Sequence, residues 1–175
     1  MAAESGVTSR AVPGNEQPAV SSVYAEGLLA GLVGAATIAL WFFVLDLIEG
    51  HPLSTPTILG TALFRGGEGL QAPEALPTSF ELVLSFTWVH VLVFLLIGLA
   101  ASRLLGLAER NPSVGFGILL LFVVFEFGFL LGCTVLAAPV LQALAWPAVL
   151  VGNLLAAAAM GAVFWRRHPR LAIRP

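Results

Sequence analysis

The 175-residue chain contains one cysteine and no lysine, and only 10% of its residues are charged. Each shortage excludes something. A lone Cys133 cannot form an internal disulfide or a cysteine-based metal cluster, and inside an apolar run it reads as a small packing residue. All eight basic residues are arginine and the formal net charge is −2, so the clustered basic surface that a nucleic-acid partner requires is missing. Soluble domains carry roughly a quarter charged residues, whereas this chain is 58% hydrophobic. The composition predicts a membrane protein. The sequence has no Gly-rich phosphate loop and no arrangement of Ser, His and Asp that would support nucleophilic catalysis, so neither an enzyme nor a cofactor is expected.

Four long apolar segments take up most of the chain, at about residues 27–48, 82–102, 114–137 and 143–165. Each is long enough to cross a hydrocarbon core of about 30 Å at about 1.5 Å rise per residue. Of the eleven prolines only Pro147 lies inside a span, in its opening turn, where a missing N–H costs little. The expected fold is all-α, a membrane-spanning four-helix bundle over residues 22–166. Residues 1–21 are polar and rich in small residues and are expected as a disordered cytoplasmic tail. The first apolar segment is too long for a cleaved signal and is expected to stay as an anchor. Residues 167–175 form a basic cytoplasmic tail.

Arginine is distributed unevenly. Arg10, Arg103, Arg110, Arg166, Arg167, Arg170 and Arg174 fall on one side of the expected topology and Arg65 alone on the other. The positive-inside rule then places both termini in the cytoplasm and the loop 50–80 outside, the pattern of a multi-pass protein of the bacterial cytoplasmic (inner) membrane. Within that loop, Thr57 to Phe64 is apolar enough to lie on the membrane or dip into it, and an interfacial helix is the simpler expectation.

The residues that stand out are polar groups at depth. An ionisable side chain in the bilayer interior costs roughly 2.5–3.5 kcal/mol on insertion scales, so it usually faces protein and often has a role. At about 1.5 Å per residue, His90 in the second span and Glu126 in the third reach a common level, Asn153 comes within about one turn of it, and Thr87 lies one turn outward of His90. This layer reads either as a proton-accepting or ligand-holding site, or as a set of interhelical hydrogen bonds that fixes packing. Asp46, Glu49, His51 and Glu81 stand near the outer ends of the first two spans and are expected as an acidic rim. Their spacing matches no metal motif, so no metal is assigned. Haem between two axial histidines is improbable within this chain, because only His90 is deep.

Small residues at four-residue spacing let helices approach closely. They include Gly27 and Gly31 in the first span, Gly128 and Gly132 in the third, and Gly152 and Gly161 in the fourth. Phenylalanines on several faces of the third span favour a homo-oligomer or a place in a larger membrane complex.

The stretch from Gly31 to Gly60 carries a small-residue stripe, Trp41-Phe42-Phe43, Asp46, Gly50, Pro52-Leu53, Thr55-Pro56 and Leu59-Gly60. In these features it resembles the first helix and loop of a group of short bacterial integral membrane proteins of no established function. The resemblance implies that the corner from Asp46 to Gly60 is more than a tether. It carries over no activity. The expected role is a non-catalytic membrane subunit or self-associating interaction protein, with a small proton- or solute-conducting bundle as the alternative.

Overall fold

The computed structural model describes residues 20–110 and 146–167. Among them are four α-helices: α1 (Val20–Ile48), α2 (Ser54–Phe64), α3 (Phe80–Arg110) and α4 (Trp146–Arg167), with a 3-10 turn at Pro73–Ala75. The described residues contain no strand. The expected third span, 114–137, lies outside the described residues. The long helices outrun their apolar cores: α1 starts within the segment expected as a tail, and α3 continues two turns past residue 102. Backbone hydrogen bonding carries a helix into polar sequence until a proline or glycine stops it.

Three helices, over Val23–Ile48, Phe80–Ala108 and Trp146–Arg167, are long and apolar enough to cross a membrane. Their 26, 29 and 22 residues correspond to about 39, 43 and 33 Å, against a hydrocarbon core of about 30 Å.

α1 lies between α3 and α4. Against α3 the two backbones touch. A Cβ at Gly27 would sit 2.8 Å from the Leu99 Cα and 2.9 Å from the Gly98 carbonyl oxygen, and one at Gly31 would sit 2.8 Å from the Leu95 Cα. Gly98 completes this contact, and sequence reading missed it although Gly98-x-x-x-Ser102 has the small-residue spacing of a close helix approach. Against α4, Gly34 faces Met160 and Gly152 faces Trp41 and Ile38. Buried Ala30, Met160 and Phe164 form the centre of this seam, flanked by Phe94, Ala101, Leu105 and Val163. Gly161, expected to support packing, faces open space among the described residues, as does Gly106. Gly128 and Gly132 lie outside the described residues.

These contacts set the directions. Along α1, Gly27 meets Leu99 and Gly31 meets Leu95 on α3, while Gly34 meets Met160 and residues 38 and 41 meet Gly152 on α4. α3 and α4 therefore run the same way, both antiparallel to α1. The end at which α1 stops and α3 and α4 begin is covered by α2. There Ile58 and Leu70 bury against Phe42, Leu59, Ala62, Leu76 and Val149. A Cβ at Gly60 would lie 2.8 Å from the Leu82 carbonyl oxygen, so glycine is what lets α2 rest on the first turn of α3.

Candidate functional site

The corner between α1 and α2 is the most tightly specified polar feature of the described residues. α1 ends in a Schellman-type cap. The His51 N–H donates to the Asp46 carbonyl at 2.9 Å and the Gly50 N–H to the Leu47 carbonyl at 3.2 Å, with Gly50 at φ 79°. That conformation suits glycine because it has no Cβ to clash. Pro52 follows and cannot continue the helix. Leu53 at the N-cap of α2 holds a left-handed conformation, φ 68° and ψ 16°, and has no side-chain oxygen to offer the open amides of the new helix.

Asp46 supplies that oxygen from α1. Its carboxylate accepts the Thr55 backbone N–H at 2.9 Å and the Thr55 hydroxyl at 2.6 Å. A negative charge at a helix N-terminus also meets the positive end of the helix dipole. Asp46 is 2% exposed and Thr55 is buried with it. The expectation of a rim of four groups is corrected here: Glu49, His51 and Glu81 are exposed, whereas Asp46 is enclosed. The reason is that α2 folds back over the end of α1 and needs an acceptor at its first turn. Pro56 fits the same turn because its missing N–H would have had no helical partner. Thr57 and Thr61 are buried, and their hydroxyls donate to the carbonyls of Leu53 at 2.7 Å and Thr57 at 2.8 Å. Thus α2 buries threonines without stranding a hydroxyl.

Sequence reading singled out Asp46 but missed Thr55 as its partner. The signal available was a Ser-Thr-Pro run opening a helix after a residue that cannot cap.

The expected polar layer is described in part. The His90 Nε2 lies 3.2 Å from the Ala35 carbonyl oxygen on α1, and because a carbonyl only accepts, Nε2 donates. The ring is half-buried between Phe86 and Phe94, at centroid distances of 5.8 and 4.8 Å. Asn153 is half-buried on α4. His90 stands at the level of Ala35, to whose carbonyl it bonds, and Asn153 follows Gly152, which meets the Ile38 and Trp41 side chains nearer the α2 end. Thr87 is exposed, and its hydroxyl donates to the Val83 carbonyl of its own helix at 2.7 Å. Glu126 lies outside the described residues.

Two further polar links were not anticipated. The Trp41 indole N–H donates to the Ala148 carbonyl at 2.9 Å, tying α1 to the first turn of α4. At the opposite end the Ser102 hydroxyl donates to the Val23 carbonyl at 2.9 Å. Trp41→Phe removes the first link together with the pyrrole edge that faces Gly152. It is expected to cost about 1 kcal/mol, read as a lower Tm of the detergent-solubilised protein; an unchanged Tm would mean that the link contributes nothing to stability.

An open cleft of about 330 Å³ lies where α2 meets the start of α3, lined in part by Thr61, Arg65, Glu68 and Ser79. Among the described residues no group of three or more His, Cys, Asp or Glu side chains is arranged to hold a metal ion.

Among the described residues, fold and site together define an all-helical arrangement with three helices fit to cross a membrane and a hydrogen-bonded corner at one end. No family model, curated protein or solved structure matches the chain.

Proposed function

We propose that this chain is a non-catalytic, multi-pass subunit of a bacterial cytoplasmic membrane, a four-helix bundle that works by packing against its own copies or against a larger membrane complex. The observation that carries this reading is the use made of the polar groups. Asp46, His90, Trp41 and Ser102 each spend a hydrogen bond on joining one helix to another. Meanwhile large apolar side chains such as Leu40, Ile48, Leu84, Trp88, Leu96 and Leu154 remain exposed. Lipid covers such a surface, and so does a partner helix.

A fourth crossing is supported by connectivity. α3 ends and α4 begins at opposite ends of the bundle, and the sequence between them contains the apolar segment 114–137. The orientation follows from arginine: Arg103, Arg166 and Arg167 sit at the end away from α2, while Arg65 sits at the α2 end. The positive-inside rule then makes the α2 end extracytoplasmic and both termini cytoplasmic.

The test is extraction of the tagged full-length protein from its native membrane in mild detergent, with co-purifying proteins quantified by mass spectrometry. A partner at fixed stoichiometry, or a homo-oligomer that persists on dilution, is the expected result. A monomer recovered alone under every mild condition would overturn the proposal.

A second reading, a proton- or solute-conducting oligomer, is favoured by one observation, the half-buried His90 and Asn153 on two helices that both pack against α1. It requires Glu126 to join them. Glu126→Gln should then abolish flux in proteoliposomes while leaving expression and oligomeric state unchanged, and flux equal to that of the parent protein would eliminate this reading.

A further inference from the structure

The end of the bundle away from α2 carries a cluster of charge that the packing does not consume. The Arg103 guanidinium lies over the Tyr24 ring, 4.8 Å from its centroid, and donates a hydrogen bond to the Tyr24 hydroxyl. Next to it the Ser102 hydroxyl is bonded to the Val23 carbonyl, so α1 and α3 are pinned together at the level from which Arg103 projects. Stacking on an aromatic face orders the guanidinium while leaving most of its five N–H donors free to face outward. Arg166 and Arg167 on the last turn of α4 reach the same end and are exposed, as Arg103 is.

Among the described residues the one carboxylate at this end whose side chain is described, Glu26, is buried. On the bilayer side of Arg166 stands the exposed Trp165, at 72% exposure. Guanidinium groups next to exposed apolar surface match a molecule that has a phosphate at one end and hydrocarbon at the other. A free phosphate would satisfy the first feature and leave the second unused.

We propose that this end binds anionic phospholipid headgroups, with Arg103 as the pre-ordered phosphate donor, Arg166 and Arg167 as flanking donors, and Trp165 against the acyl chains. Arginine suits the task because its planar fork meets two phosphate oxygens at once. The inference rests on the reading that the long helices cross a bilayer, and it adds a preference among lipids that crossing alone does not require.

The experiment uses the full-length protein in mild detergent, mixed with equal amounts of phosphatidylglycerol and phosphatidylcholine, with retained lipid counted by native mass spectrometry. Phosphatidylglycerol is expected to be retained at least about tenfold over phosphatidylcholine, and each arginine removed should weaken retention about fivefold. Arg103→Gln tests the ordered donor. The double variant R166Q/R167Q leaves the Tyr24 contact intact, so the proposal remains testable if Arg103→Gln fails to fold. Tyr24→Phe keeps every charge and loses the hydroxyl acceptor, and should weaken retention by less than Arg103→Gln does. Equal retention of the two lipids, or phosphatidylglycerol retention unchanged in R166Q/R167Q, would overturn the proposal. So would displacement of the lipid by millimolar inorganic phosphate, which would assign the site to a free anion. Release of the protein from membranes by an alkaline carbonate wash would instead refute the bilayer-crossing reading itself.

Discussion

Asp46→Ala is expected to lower stability by about 3 kcal/mol and to loosen α2 from the end of the bundle. The carboxylate accepts two short hydrogen bonds from Thr55, and both partners are buried. Hydrogen bonds to a charged group contribute roughly 1.5–3 kcal/mol each, and the charge at the helix N-terminus adds about 0.3–1 kcal/mol. Part of this sum is offset because the carboxylate no longer has to be removed from water, which brings the expected loss to about 3 kcal/mol. The alanine variant also leaves the first turn of α2 without an acceptor, since Leu53 has none to offer. The loss should appear as a lower Tm in detergent and as faster amide exchange across 54–64, with the centres of α1 and α3 much less affected. Asp46→Asn keeps an acceptor without the charge and should lose about half as much. Thr55→Val keeps the amide bond and should fall between the parent and Asp46→Ala. Exchange in 54–64 that matches the parent after Asp46→Ala would show that the carboxylate does not hold the corner.

The second large effect is expected from Gly98→Ala. The added methyl would run into the Gly27 carbonyl and lie 2.6 Å from the Gly31 nitrogen and 2.9 Å from its Cα. All of these are backbone atoms of a facing helix, so no side-chain rotation relieves the conflict, and α1 and α3 must separate. Overpacking of this kind costs about 1–3 kcal/mol, and the upper part of that range applies here because separation also strains the hydrogen bonds from His90 to Ala35 and from Ser102 to Val23. Gly106→Ala is the matched comparison, because its added Cβ would meet nothing within 4 Å in the described structure. It should be neutral or stabilising by up to about 1 kcal/mol, through better helix propensity alone. Measured as Tm in detergent, the two variants should move in opposite directions or differ by several degrees. Equal values would mean that the close approach of α1 and α3 is not a stabilising contact.

The two substitutions also mark how far the sequence could be read. Gly27 and Gly31 were legible as a close-approach stripe because they stand four apart within one apolar segment. Their partner was not, since Gly98 stands between Phe94 and Ser102 on a different helix and only the meeting of two faces singles it out. Gly161 has the same spacing with Ala157 and meets nothing among the described residues, so small-residue spacing permits a contact without naming its partner. Asp46 behaves similarly. Its position near the end of an apolar segment is compatible with a solvated rim or with a buried cap, and the choice between them was made by α2 folding back so that Thr55 reached it. His90 was legible as a polar group at depth, whereas its acceptor, a backbone carbonyl on α1, has no sequence signature.

What the sequence determined by itself are properties of single segments: helical character, helix lengths sufficient to cross a membrane, the breaks at Gly50 and Pro52, and the gathering of arginine toward one end. These follow from hydropathy, length and local backbone preference, each of which is decided within about twenty consecutive residues. Tertiary structure alone decided which glycine meets which backbone, which carboxylate is enclosed, and which arginine is held against a tyrosine. Those outcomes depend on the rotation and depth at which helices pack, a sum of many weak contacts between residues far apart in the chain.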